Sequence, residues 1–370
     1  MTAPSAAPFA PNYAVNAGTM LEEWLAEQGI SQADLSRRTG LSAKTVNQII
    51  RGHAPVTQET ALKLESVTSI PAKTWNAMEA IYQEDLARIA HRKKLAPHVD
   101  FLADVPITSL RKLGVLRAPS RDKVAVLQEV MNFFGVSDPD AWRQVWQTNQ
   151  TAVAFRKSSA FKAKPGAVAA WLRLGELELL KTEQRHDFDK NLLELSLVEI
   201  RSLTKEPDPS VFVPQLVDLL AEAGVTLVFM PEVTGARCSG ASRWVNGRPL
   251  VQLSLRHKTD DHLWFTLFHE LGHLLLHGRN ESFLDDGNQE KDREDLEKEE
   301  QANSFSADLL IPTQFAAELP TLRSLESMRE FADRIGISPG IVVGRLQRDR
   351  NDYRIGNALK RKYQFVNEES

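Results

Sequence analysis

The chain has 370 residues, 42% of them hydrophobic, which is enough to bury two or three separate cores. Its formal charge is −4, so it is no polycation, and any nucleic-acid surface has to be local. A single cysteine, Cys238, excludes an intramolecular disulfide framework and a zinc site made of thiolates alone. No leader pattern opens the chain, and no apolar run approaches the ~18 residues of a membrane span. The expectation is a soluble, cytoplasmic protein with no membrane partner.

Residues 1–17 are rich in Ala and Pro, carry no charged side chain, and are expected to form a mobile tail. Residues 18–95 predict five short helices. Thr19 is the expected N-cap of the first, with Glu22 completing a capping box, and Gly29 ends it. Ser31 caps the second and Gly40 ends it. Ser42 caps the third and Gly52 ends it. Thr57 opens the fourth, and Pro71 stands at the first turn of a longer fifth. Residues 96–205 stay helical in pattern, hold Trp142, Trp146 and Trp171, and read as a packed helical connector.

The texture changes near residue 224. "GVTLVFMP" reads as a strand, and "ASRWVNGRPLVQLSL" as two strands joined by an Asn246-Gly247 turn. Residues 206–320 are therefore expected to form an α+β domain with a small sheet, and 321–370 C-terminal helices with a basic tail. The fold class is multi-domain and mainly α.

Within that domain, "FTLFHELGHLLLHG" is a helix whose apolar residues Trp264, Phe268, Leu271 and Leu275 mark one face. His269 and His273 lie off it, one turn apart, with β-carbons ~5–6 Å from each other. Two imidazoles so placed can converge on one ion at ~2.0–2.1 Å. Glu270 stands between them, where a carboxylate can take a proton from a bound water; this is the HExxH arrangement. The bland alternative is a core helix that happens to carry histidines. A third ligand is needed, and position 279 is Arg279. His277 reads better as a partner for a carbonyl near the helix end. From Glu281 to Glu300 there are ten Asp/Glu against three Lys/Arg, most of them solvated. Glu299 stands out because it begins the register Glu299, Asn303, Ser306 along one helix edge, opposite Ala302, Phe305 and Leu309.

"FHELGHLLLH", followed by "EEQANSFSADLLIP", resembles the ImmA/IrrE family of metallopeptidases, over roughly residues 210–320 and again at "ISPGIVVGRLQ". Ser306 stands where that family usually has Ala. The resemblance implies a zincin-like fold and one Zn2+ per chain held by His269, His273 and Glu299. It also implies Glu270 as catalytic base, and a zinc endopeptidase whose targets are repressor proteins. The strand "PLVQLSL" could pair with the substrate backbone. Arg243, Arg256, His257 and His262 are open candidates for the electrophile that meets the oxyanion. Cys238 could reach the fourth zinc position and hold the enzyme latent, though a small apolar residue near a strand is the simpler reading.

"SQADLSRRTGLSAKTVNQIIRG" has helix-turn-helix spacing. Leu35, Leu41, Val46, Ile49 and Ile50 form its inner face. Gln32, Ser42, Ala43, Lys44, Thr45, Asn47, Gln48 and Arg51 are the expected DNA-facing positions. From Ser31 to Lys63 five Lys/Arg face two Asp/Glu, a modestly basic patch. A helical hairpin in a protein-binding bundle is the alternative. The stretch from Gly18 to about Tyr82 resembles the lambda-repressor/Cro-like family and, more narrowly, HigA-type antitoxins, which implies a homodimer on a palindromic double-stranded operator. "FADRIGISPGIVVGRL" at 331–346 echoes 35–50, Gly on Gly and Ser on Ser. Its would-be reading positions are Pro339, Gly340, Ile341 and Val343, so a packing copy docked on the peptidase is expected.

Together these features predict a DNA-binding regulator with a fused zinc endopeptidase that cleaves itself, a partner repressor or a cognate toxin, in the bacterial or phage nucleoid environment. One rival is a HigA-like antitoxin or autorepressor whose zinc domain is structural or ligand-sensing. Another is a peptidase whose helix-turn-helix only docks protein substrate.

Overall fold

The computed structural model describes residues 13–147, 164–278, 283–285 and 293–365. Residues 1–12 of the expected tail, Arg279 and parts of the acidic stretch lie outside the described residues. The chain divides into two compact units, Met1–Val99 with Lys123–Gln128, and Asp100–Asp122 with Glu129–Ser370.

The first unit contains α1 (Ala17–Gln28), α2 (Gln32–Thr39), α3 (Ala43–Ile50), α4 (Gln58–Thr68) and α5 (Ala72–Leu95). Ser31, Ser42 and Thr57 accept backbone N–H groups at the expected N-caps, and Gly29 and Gly40 end their helices in the left-handed region. One expectation fails. Asn16, not Thr19, caps α1, its Oδ1 accepting the Thr19 N–H at 3.1 Å. Packing supplies the reason: a Cβ at Gly18 would lie 2.1 Å from the Ile49 carbonyl oxygen, so α1 must start early enough to lay its bare backbone on α3. Leu21, Leu35, Val46, Ile49, Leu64 and Trp75 fill the core, with Leu41 only partly buried against it.

The second unit begins with short helices, α6 (Ile107–Lys112), the C-terminal part of α7 (Lys123–Phe134) and α8 (Pro139–Trp142). Then follow α9 (Pro165–Lys181), α10 (Lys190–Ser202) and α11 (Pro209–Glu222). Strands β1 (Thr226–Phe229), β2 (Gly240–Val245) and β3 (Arg248–Leu253) precede α12 (Asp260–Leu276). Strand β4 (Phe283–Asp285), α13 (Arg293–Leu310), α14 (Thr313–Ala316), α15 (Leu325–Ile335) and α16 (Pro339–Arg350) complete it.

Among the described residues the sheet runs β1-β3-β2-β4. β2 and β3 form the expected hairpin, with Asn246 at φ 52° and Gly247 at φ 78°, both in the left-handed region a tight hairpin turn requires. The expectation that "PLVQLSL" offers a free edge to substrate is overturned. β3 pairs in parallel with β1 on one side and antiparallel with β2 on the other, so its backbone is already spent. The β2 side ends on β4, where Ser242 faces Phe283.

Strand alternation sorts the two faces. Leu227, Val251 and Leu253 join Trp264, Leu267, Phe268 and Leu271 of α12 in one core. Val228 and Leu250 turn the other way, onto Leu179 of α9. There Gln252 Nε2 donates to the Trp171 carbonyl at 2.6 Å, and a Cβ at Gly175 would lie 2.0 Å from the Gln252 amide oxygen. The last helix before residue 190 is thus a layer of the sheet domain.

The C-terminal echo packs as expected. Gly336 (φ 75°) ends α15 and Ser338 caps α16, as Gly40 (φ 70°) and Ser42 do between α2 and α3. Ile341, Val342, Val343 and Leu346 enter the core. Gly340 and Gly344 press on the start of α12. A Cβ at Gly340 would meet the Asp260 carboxylate at 2.2 Å, and one at Gly344 the Asp261 carboxylate at 2.5 Å.

Candidate metal centre and nucleic-acid interface

α12 is buried around nearly its whole circumference, histidines included: His269 is 4% exposed, Glu270 0% and His273 2%. An apolar helix that buries these three ionisable groups mid-length, besides Asp260 and Asp261 at its start, must satisfy them, because unpaired polar groups in a core are costly. The partners are specific. His273 Nε2 lies 3.0 Å from His269 Nε2. Glu299 reaches in from α13, with Oε2 3.3 Å from His269 Nε2 and Oε1 3.6 Å from His273 Nε2. His269, His273 and Glu299 are a group whose ligand atoms all lie within 4.8 Å of one another, able to hold a metal ion.

Close helix packing makes this possible. A Cβ at Gly272 would lie 2.9 Å from the Phe305 ring and 3.4 Å from the Ala302 Cα, so glycine lets α13 approach α12. Ser306 Oγ, two turns beyond Glu299, donates to the Phe265 carbonyl at 2.9 Å and ties the helices at the next level. Between them Asn303 Oδ1 stands 3.1 Å from His269 Nδ1. An amide oxygen only accepts, so that contact places the proton on Nδ1 and leaves the Nε2 lone pair for a ligand role. The predicted register Glu299, Asn303, Ser306 does lie on the edge facing α12.

Glu270 belongs to the same turn. Its Oε2 accepts from Ser242 Oγ at 2.8 Å. Strand period two aims Gly240 and Ser242 at α12, and a Cβ at Gly240 would lie 2.5 Å from Glu270 Oε1. Sequence reasoning missed both residues, because their role depends on a contact with a helix about 30 residues later. It also missed Phe283, whose ring stacks flat on His273 at 3.8 Å and 8°.

Other candidates separate. Arg243 points to the opposite face of β2, where it pairs with Glu176 at 2.9 Å and donates to the Leu172 carbonyl at 2.7 Å, so it is no oxyanion partner. Burial pushes its guanidinium below the usual arginine range, with Glu176 opposing. Arg256, His257 and His262 stay on the α12 side and line a cavity next to Thr266 and Asn303. His277 Nε2 contacts the Lys298 carbonyl of α13 at 3.2 Å. Cys238 is buried, its Sγ 3.2 Å from the Ala236 carbonyl, and is not in the ligand group.

A peptidase family model described as IrrE N-terminal-like domain matches residues 221–347. A helix-turn-helix model matches residues 21–74. The chain joins these two domains. No curated protein matches the chain. The IrrE-like match runs through the ligand group and takes in the packed C-terminal echo.

In the helix-turn-helix domain, α3 presents Ser42, Ala43, Lys44 and Arg51 exposed, with Thr45, Asn47 and Gln48 half-buried. Asn47 Nδ2 donates to Gln32 Oε1 at 3.4 Å, linking the start of α2 to the middle of α3. The Ser42 hydroxyl accepts the Thr45 N–H at 3.0 Å, so its first duty is the cap. Among the described residues no helix is long and apolar enough to cross a membrane.

Proposed function

We propose that this chain is a cytoplasmic, DNA-bound regulator carrying a zinc endopeptidase centre, which cleaves a repressor-type protein, either itself or a partner. The observation that carries the reading is the convergence of His269, His273 and Glu299, with Glu270 on the same turn and Asn303 fixing the His269 tautomer. The donor set, two imidazoles and one carboxylate with a fourth position left over, fits zinc used for chemistry. Zinc bound there supplies a Lewis acid for a peptide carbonyl and lowers the pKa of a water.

The chain's own residues do the rest. Glu270, buried and steadied on one oxygen by Ser242, takes a proton from the attacking water and returns it to the leaving amine. His269 and His273 stay neutral as ligands. β4, the outer strand on the β2 side, offers the edge for a substrate strand that β3 cannot. In the other domain Lys44 meets phosphate or guanine, while Asn47 and Gln32 approach base edges. A homodimer on a palindromic operator completes the reading.

The test is bound zinc per chain, measured by elemental mass spectrometry in the parent and in Glu299→Ala. One zinc in the parent, lost or bound at least ~10–100-fold more weakly in the variant, supports the centre. Peptidase activity is then scored against Glu270→Gln. A parent that takes up no zinc even on reconstitution sinks the peptidase reading.

A further inference from the structure

Beside the metal ligands, and separate from them, lies a cavity of about 380 Å³. Its apolar wall comes from Phe265 of α12, Leu310 of α13, Ile311 and Ile341 of α16. Its polar lining is strongly basic. Asp261 is the only carboxylate among the described lining residues, and Lys360 Nζ already holds it at 2.6 Å. Arg345 is turned onto Asp349 at 3.0 Å. Two guanidinium groups remain. The Arg256 guanidinium donates to the Arg237 carbonyl at 2.5 Å. Arg348 lies over the Phe265 ring, 5.9 Å from its centroid. Among the described residues neither has a carboxylate within ion-pair distance.

Stacked at the same mouth are His257 and His262, with ring centroids 4.1 Å apart. Burial pushes the His257 imidazole down to about 4, with neighbouring His262 and Arg256 pushing the same way and Asp261 opposing. The local field is therefore positive around an apolar interior. Such a site lacks a negative charge with a greasy body.

We infer that this cavity binds a small amphiphilic organic anion. A carboxylate, sulfonate or phosphate head meets Arg256 and Arg348, and an aromatic or aliphatic body lies against Phe265, Leu310 and Ile341. The volume selects a free small molecule over one acidic side chain of a peptide, since it falls within the ~300–1,000 Å³ of small-molecule pockets. The occupant would touch Asn303, which lines the cavity and also orients His269. The site is thus placed to report on the metal centre, yet its own existence does not depend on peptidase activity.

The probe is 8-anilinonaphthalene-1-sulfonate, titrated by fluorescence into the full-length protein, with N-phenyl-1-naphthylamine as the same body without the charge. Expected are saturable binding at one site, displacement by decanoate, and at least tenfold weaker sulfonate binding in Arg256→Gln/Arg348→Gln. The neutral probe should bind that double variant as it binds the parent. Ala307→Trp, which fills the cavity from α13, should remove both probes. Sulfonate binding that is unsaturable, or indifferent to the double arginine variant, overturns the assignment. So does displacement by a carboxylate-ended peptide but not by decanoate, which would give the cavity to a protein tail.

Discussion

Asn303 Oδ1 stands 3.1 Å from His269 Nδ1, one helical turn beyond Glu299, whose carboxylate faces the Nε2 of the same ring. One helix edge therefore both contributes a ligand atom and sets the tautomer of another ligand. Asn303→Ala should weaken zinc binding by ~10–100-fold while leaving the fold intact, the usual cost of losing such an orienting partner. Competition with a chromogenic chelator measures it. Ser306→Ala is the control: it loses one hydrogen bond between α12 and α13, worth ~1 kcal/mol of stability, with zinc affinity unchanged.

Gly240 is tested by adding one carbon. A Cβ there would lie 2.5 Å from both Glu270 Oε1 and Thr266 Cγ2, so Gly240→Ala must displace the Glu270 carboxylate. The expected result is full zinc content with peptidase rate down by ~100-fold or more, the scale of a general-base contribution. Equal rates in parent and variant would remove Glu270 from the proton-transfer role.

In the helix-turn-helix domain the exposed Lys44 and the Gln32-braced Asn47 should fail differently. Lys44→Ala should weaken binding across all DNA sequences and lower the salt slope by ~1. Asn47→Ala should cost ~1–3 kcal/mol on the preferred operator and little on random DNA. Fluorescence anisotropy at several salt concentrations separates them. Operator binding indifferent to both changes would leave the domain as a protein-docking module.

Gly340 aligns with Lys44 but presses on Asp260, whose Oδ2 accepts from Ser338 Oγ at 2.5 Å. Gly340→Val should overpack this contact and cost ~1–3 kcal/mol in denaturant unfolding. The equivalent change at Lys44, on an exposed face, should cost almost nothing.

His257 sets a pH signature. In the folded chain its pKa is about 4, lowered by burial first and by His262 and Arg256 after that, with Asp261 opposing and Lys360 adding. Unfolded, it titrates near ~6.5. Between those values the unfolded state binds the extra proton, so stability rises with pH through this window and falls as pH drops from ~6.5 towards 4. His257→Gln should flatten that slope, read from urea midpoints across pH 4 to 7.

Much of this was legible beforehand because it is local. The Ser and Gly residues that bound α2, α3 and α16 act within one turn, and the spacing of His269, Glu270 and His273 is intrahelical. Glu299 was legible because its register shares an edge with Asn303 and Ser306. What stayed hidden depends on contacts between distant segments. Nothing near Ser242 announces Glu270, 28 residues later. Nothing in "PLVQLSL" says that both of its edges are taken. Thr19 looked like a cap because "TMLE" satisfies the capping-box pattern, whereas the approach of Gly18 to Ile49 required an earlier start.

The sheet's outer cover has a practical consequence. Leu250 and Val228 rest on Leu179, and Gln252 on Trp171, all before residue 206. Asp260 and Asp261 are held by Ser338, Lys360 and the Arg361 N–H, all after residue 320. A fragment cut at 206 and 320 would therefore leave one sheet face bare and two buried carboxylates stranded at the head of the histidine helix. A piece that keeps these contacts has to reach at least from Trp171 to Arg361, and a protease clip within either flank would remove some of them without touching a single ligand.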